Sequence, residues 1–264
     1  MPAPYDELFI YELSGDARAA SAGLGRGFLG LWLEEGDSFL FFSRPAEELV
    51  AGLVAREPGL SLRQRHRLTY EQWQGGAGLE PLELSGLTVA PAWQAPAASG
   101  QPTLLLDPGL VFGSGLHPTT RHCLELLLRR ARLGPLGRVL DLGCGTGILA
   151  CAAALLGAES VQAVDLNPLC VATTRANARL NRLAVAAAEG AAAGWLSRPA
   201  GLVLANLHWG ALAELLSRPA ELAGKEDLII SGVTRSHRAE LEQALGRLGF
   251  GPRERREAEA TWFS

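Results

Sequence analysis

The stretch RVLDLGCGTGILACAAALLGA, residues 138–158, constrains the fold more than any other. Val139 and Leu140 end an apolar run that reads as a buried β-strand, and Ile148 to Leu156 read as a helix. Between them, Asp141 to Gly147 place glycine at alternate positions, Gly143, Gly145 and Gly147. A strand, a glycine-rich turn and a helix in this order make a nucleotide-type loop. Residues without Cβ let the backbone reverse sharply and let a ligand approach it closely. The spacing is GxGxG and not the GxGxxG of the dinucleotide fingerprint, so the turn alone does not fix the chemistry. A second apolar run, VQAVD (161–165), ends in Asp165. It follows the turn by about 20 residues, where a ribose-binding carboxylate belongs. A carboxylate there can accept hydrogen bonds from both ribose hydroxyls.

The remainder of the C-terminal half alternates in the same way. Residues 167–183 read as a helix with Pro168 in its first turn. The alanine-rich stretch 184–194 is ambiguous between a poor strand and a helix. GLVLAN (201–206) reads as a buried strand ending in Asn206, followed by a helix over 210–223. DLIISGV (227–233) is a further strand, 236–250 a further helix, and GPRERREAEATWFS a closing polar hairpin. Strands that alternate with helices of this length predict an α/β fold, a doubly wound and mostly parallel sheet. In such sheets ligands bind beyond the carboxyl ends of the strands. That edge would collect the 141–147 turn, Asp165 and Asn206. Upstream, LLLDP reads as a strand and turn, and GLVFGSG as a flexible loop carrying one aromatic, Phe112. HPTT then opens a helix, with Pro118 near its first position. The hydroxyls of Thr119 and Thr120 serve there either as helix caps or as ligand contacts.

Three regions are expected: a small α+β domain over 1–60, a linker region over 61–100, and the large domain over 101–264. In the first, LFIYEL (8–13), GFLGLWL (27–33) and FLFF (39–42) read as strands and PAEELVAGLVA (45–55) as a helix. This region carries ten acids against four arginines. Such a surface either steers a basic protein partner or only keeps the domain soluble. The second region holds the short basic run RQRHR (63–67), expected as a solvated segment, and a strand-like LTVAPAW (87–93). Its Gly-rich piece between Trp73 and Trp93 and the segment QAPAASGQP (94–102) are expected as surface connections. A net charge of −4 argues against a strongly nucleic-acid-binding surface. The four cysteines show no metal or redox spacing, and the five histidines do not cluster, so no metal site is expected. No signal peptide opens the chain, and no charge-free run reads as a membrane span.

DPGLVFGSGLHPTT, DLGCGTGILA, VDLNP and ANL, in this order and spacing, resemble the PrmA family. The resemblance implies a Rossmann-like class I methyltransferase domain that uses S-adenosyl-L-methionine. It also implies methylation of amino groups, lysine or N-terminal, on protein 11 of the large ribosomal subunit. By motif position, Phe112, Thr120, Gly143, Gly145, Asp165 and Asn206 look like cofactor contacts. Asn206 also stands where related enzymes present a carbonyl to the incoming amine, a catalytic role. The family usually carries an Asp at the position of Gly201 and polar residues at Ala191 and Ala192. A monomer acting in the cytoplasm on a basic ribosomal protein is the expectation, without membrane attachment or sequence-specific nucleic-acid binding. Two alternatives stay open on the residues alone. One is a methyltransferase for another protein or a small-molecule amine. The other is a non-catalytic cofactor-binding or ribosome-associated homologue.

Overall fold

The computed structural model describes residues 5–34, 36–74, 79–94, 100–258 and 262–263. Parts of the expected Gly-rich piece, the QAPAASGQP segment and the turn of the closing hairpin lie outside them. The chain divides into two units, Met1–Leu79 and Glu80–Ser264.

The first unit comprises β1 (Glu7–Ser14), α1 (Arg18–Ser21), β2 (Phe28–Glu34), β3 (Asp37–Phe42), α2 (Glu47–Arg56), β4 (Ser61–Thr69) and α3 (Tyr70–Trp73). Its antiparallel sheet has the order β2-β3-β1-β4. Period-2 alternation in β1 sends Tyr11 and Leu13 to one face, where they pack with Leu40, Phe42, Val50 and Leu53. The Tyr11 hydroxyl accepts a hydrogen bond from the Ala46 N–H (2.7 Å) and so fixes the start of α2.

The first unit runs past residue 60. Residues 61–69, expected within a linker, are β4 and pair with β1 from Glu7↔Thr69 to Ser14↔Ser61. The basic run is therefore the middle of an edge strand. Its arginines gain partners on the acidic sheet: Arg67 reaches Glu7 at 2.9 Å and Arg63 reaches Asp37 at 2.6 Å. The Arg67 guanidinium also lies 5.6 Å from the centre of the Phe9 ring. Cross-strand pairs of this kind favour a strand that a charge run alone does not announce.

The second unit opens with β5 (Leu82–Leu84), β6 (Leu87–Pro91) and β7 (Thr103–Leu106), a small three-stranded sheet. It continues with α4 (Pro118–Arg132), β8 (Arg138–Leu142), α5 (Ile148–Leu155), β9 (Ser160–Asp165), α6 (Pro168–Leu180) and β10 (Val185–Glu189). Next come α7 (Ala192–Trp195), β11 (Leu202–Asn206), α8 (Trp209–Leu216), α9 (Pro219–Leu222) and β12 (Asp227–Ser231). It closes with β13 (Val233–Thr234), α10 (Arg235–Arg247), β14 (Glu257–Ala258) and β15 (Trp262–Phe263). The main sheet is parallel throughout, in the order β10-β9-β8-β11-β12.

Alternate residues of each strand feed two cores. Val139, Val161, Leu202 and Leu204 pack with α4 and α5 through Leu124, Leu127, Ile148 and Cys151. Leu140, Leu142, Val164 and Val203 pack with Leu212, Leu215 and Leu222 on the other face. Helices on both faces of a parallel sheet make it doubly wound, as the alternation required. The ambiguous 184–194 stretch resolves into β10 and α7. The helix expected over 210–223 is two, because Pro219 cannot donate into a continuing helix and starts α9 instead.

Two amides, Asn177 in α6 and Asn181 at its C-terminal cap, tie β7 and the segment after it to α6 and the glycine turn. Asn181 exchanges hydrogen bonds with the backbone of Leu105 (2.8 and 2.7 Å). Asn177 accepts from the Asp107 N–H (2.9 Å), and its Nδ2 donates to the carbonyls of Asp107 (2.8 Å) and Thr146 (2.9 Å). This positions the segment after β7 against the glycine turn.

Candidate functional site

The site lies at the carboxyl edge of the main sheet, where β8, β9 and β11 end in the glycine turn, Asp165 and Asn206. The turn holds its shape through backbone bonds, with the Gly143 N–H donating to the Val164 carbonyl at 2.8 Å. Gly143 and Gly145 adopt φ of 73° and 53°, which side chains with a Cβ rarely take. Space adds to the requirement at Gly145, where a Cβ would stand 2.5 Å from the Phe112 carbonyl oxygen; at Gly143 it would meet the side-chain end of Leu207 at 2.2 Å.

Asp165 is tied to the turn. One carboxylate oxygen accepts from the Gly145 N–H (3.0 Å) and the other from the Asn167 N–H (2.9 Å). Burial pushes its pKa up, opposed by those two N–H groups, the Cys170 thiol and the Leu166 N–H. Asp141, at the start of the turn, is 1 % exposed and accepts from the Ala150 N–H at 3.0 Å. Burial, reinforced by the Asp165 charge, lifts its pKa from 3.8 to about 7 against the pull of that N–H.

A folded-state pKa above the unfolded one gives stability that is fully present below pH 3.8 and is lost as pH rises through about 7. Asp141→Asn keeps a carbonyl for the Ala150 N–H and removes the ionisation. Against this variant, the natural protein should lose on the order of 1 kcal/mol between roughly pH 6 and pH 8. Denaturant unfolding at the two pH values measures it, and parallel stability curves would rule the coupling out.

The loop before α4 is latched over the turn. The Thr146 N–H donates to the Phe112 carbonyl (3.1 Å) and the Thr146 hydroxyl to the Gly113 carbonyl (2.8 Å). The Phe112 ring is 52 % exposed and meets the His117 ring edge-on at 5.4 Å. His117, and neither threonine, caps α4, accepting from the Thr119 N–H through Nδ1 (3.3 Å). That leaves the buried Thr120 hydroxyl to accept from Asn206 Nδ2 at 3.3 Å. All six expected residues thus lie on the segments that converge at one rim. Thr146, Asn177 and Leu166 also stand on these segments, beyond the six expected residues. The last is 68 % exposed, directly after Asp165, and an apolar residue beside a strand-end acid is its one signal in the sequence.

Gly201 plays no part at the rim. It precedes β11 at the end opposite Asn206, roughly 16 Å away at strand rise, and receives the Glu226 and Asp227 N–H groups on its carbonyl. A Cβ there would meet the Glu226 carboxyl at 3.2 Å. Ala191 and Ala192 cap and start α7, just past β10. A separate groove of about 340 Å³ between α4, β12 and α10 contains none of the expected residues. The four cysteines are buried and free, and among the described residues no cluster of three or more potential metal ligands forms.

The profile of the ribosomal protein L11 methyltransferase family, PrmA, matches residues 52–264. The chain belongs to the PrmA family. A ribosomal protein L11 methyltransferase of Geobacillus kaustophilus is 35 % identical over 172 residues, 62 % of this chain and 53 % of the relative. One of Anoxybacillus flavithermus is 33 % identical over 180 residues, 64 % of this chain and 56 % of the relative. This chain thus spans about half the length of the curated PrmA relatives it matches. The crystal structure of a ribosomal protein L11 methylase from Lactobacillus delbrueckii subsp. bulgaricus is 31 % identical. It superposes with a TM-score of 0.60, covering 70 % of this chain and 98 % of that one. The match to the PrmA profile takes in the turn, Asp165, Asn206 and the Phe112 loop.

The residues present suit an adenosyl ligand. Asp165 offers a carboxylate at the end of β9, beside the turn. Gly143 and Gly145 keep the turn free of Cβ atoms. Phe112, Leu116 and Leu166 are exposed apolar side chains on the converging segments, and side chains of this type suit a purine face.

Proposed function

We propose that this protein transfers the methyl group of S-adenosyl-L-methionine to amino groups, lysine or N-terminal, of large-subunit ribosomal protein L11. The reading is carried by the Asn206–Thr120 hydrogen bond at the rim of a PrmA-family sheet, one strand away from the glycine turn. S-adenosylmethionine, when bound, supplies an activated sulfonium methyl. Asp165 would hold the ribose and the 143–145 backbone would accept the ligand's close approach. Phe112 and Leu166 would cover apolar surface and exclude water. Asn206, with its Nδ2 committed to Thr120, has Oδ1 left to accept from the amine and aim its lone pair. Position and dehydration, more than strong acid or base, then carry the rate.

The acidic first unit is the surface proposed to steer the basic substrate. No helix of the described residues is long and apolar enough to cross a membrane. A cytoplasmic monomer without sequence-specific nucleic-acid contacts fits the reading. Incubation with labelled S-adenosylmethionine and purified L11, with mass spectrometry of the product, tests it. Absence of label on L11 but label elsewhere in a lysate would shift the substrate and keep the chemistry.

Asp165→Ala should weaken S-adenosylmethionine binding by about 1–3 kcal/mol, as for a lost hydrogen bond to a charged group. Calorimetry reads this directly. Unchanged affinity would remove Asp165 from the site.

A further inference from the structure

We propose that His237 accepts the proton that the substrate ammonium must lose before methyl transfer. The inference rests on the methyl-transfer reading and goes beyond it, because no residue has so far been given that proton. A substrate amine is largely protonated at neutral pH, and its lone pair is free to attack only once one N–H bond has broken.

Placement comes first. Asn206 and Ser231 are register partners at the ends of β11 and β12, and the Leu207 N–H donates to the Ser231 carbonyl (3.1 Å). The two chains therefore leave the sheet side by side, next to the amide assigned to the amine. Trp209 begins α8 three residues beyond Asn206, and His237 sits in the first turn of α10, six beyond Ser231. Their rings stack at 4.8 Å with planes 10° apart.

Orientation follows. His237 Nδ1 lies 3.0 Å from the Thr234 hydroxyl and 3.3 Å from the Ser236 hydroxyl. Stacking fixes the ring plane and the hydroxyls fix its rotation, so Nε2 is the nitrogen left without a partner among the described residues. An imidazole oriented through one nitrogen and open at the other is the arrangement of a general base. Of the other histidines in this unit, His117 caps α4 and His122 is buried in it. His208 spends Nδ1 on the Ala211 N–H (3.4 Å). In the step, a substrate N–H bond breaks and its electron pair stays on the amine nitrogen. The proton bonds to His237 Nε2, and the imidazolium then returns it to solvent.

The test uses the full chain, labelled S-adenosylmethionine and L11. His237→Ala should lower kcat on the order of 10²-fold, leave the Kd for S-adenosylmethionine unchanged, and recover at least tenfold when imidazole is added. His237→Gln, which keeps polarity and most of the volume, should stay slow. Asn206→Ala should not respond to imidazole, and His208→Ala should stay within about twofold of the natural rate. A natural kcat in His237→Ala or His237→Gln overturns the proposal. So does a slow His237→Ala that imidazole cannot restore, or rescue at His208 instead. If the unaltered protein binds S-adenosylmethionine yet methylates nothing, the functional reading itself falls, and this inference with it.

Discussion

Asn206→Ala is expected to lower single-turnover methyl transfer on the order of 10²-fold while changing the affinity for S-adenosylmethionine less than twofold. The amide sits at the tip of β11, where the strand ends. Its Nδ2 donates to the buried Thr120 hydroxyl at 3.3 Å, which fixes which end of the amide faces outward. Alanine removes the outward carbonyl and leaves the turn, Asp165 and the Phe112 loop in place, so the donor still binds and the acceptor amine is no longer aimed. Thr120→Val offers the complementary loss. The amide stays, but its rotation is freed, and a smaller fall in rate should result. A double-mutant cycle should then show coupling, since Thr120 acts through Asn206. Rapid-quench assays with L11, beside calorimetry, separate the two effects. An unchanged rate in Asn206→Ala ends its catalytic assignment, and an unchanged rate in Thr120→Val ends the positioning one.

What the residues disclosed in advance was local and periodic. Alternation between apolar strands and amphipathic helices gave the parallel sheet, because each core face is written into neighbouring positions of the chain. The turn and Asp165 were readable for the same reason: each is the end of a buried strand. The clamps that assemble the rim were not readable. Thr146 bonds a carbonyl 33 residues earlier, and Asn177 reaches 70 residues back to Asp107. Pairings of that span leave no period in the sequence. β4 is masked because Arg63, Arg65 and Arg67 alternate with Leu62, Gln64, His66 and Leu68, only two of them apolar, which gives a strand the appearance of a solvated run. Helix capping by His117 was missed because serine, threonine and asparagine are the usual caps, and two threonines stood nearby.

The Thr146 latch also sets the second large effect. Gly145→Val should destabilise the second unit by about 3 kcal/mol or more and abolish the stabilisation that S-adenosylmethionine confers. A φ of 53° costs a β-branched residue about 1–2 kcal/mol. The added Cβ would stand 2.5 Å from the Phe112 carbonyl, and backbone cannot yield as the end of a flexible side chain does. The loop must move off the turn, which breaks the Thr146 bonds to Phe112 and Gly113, each worth about 1 kcal/mol. The Asp165 bond to the Gly145 N–H is displaced with it, so the loop, the turn and Asp165 fail together. Gly246→Ala is the matched control. It lies inside α10 with open space around it, and it should gain about 0.5–1 kcal/mol. Thermal unfolding of both variants, with and without S-adenosylmethionine, decides the matter. If Gly145→Val melts with the natural protein and still gains stability from the ligand, the loop does not close the site through this contact. The convergence of Phe112, Asp165 and the turn would then be a packing arrangement with no bearing on binding.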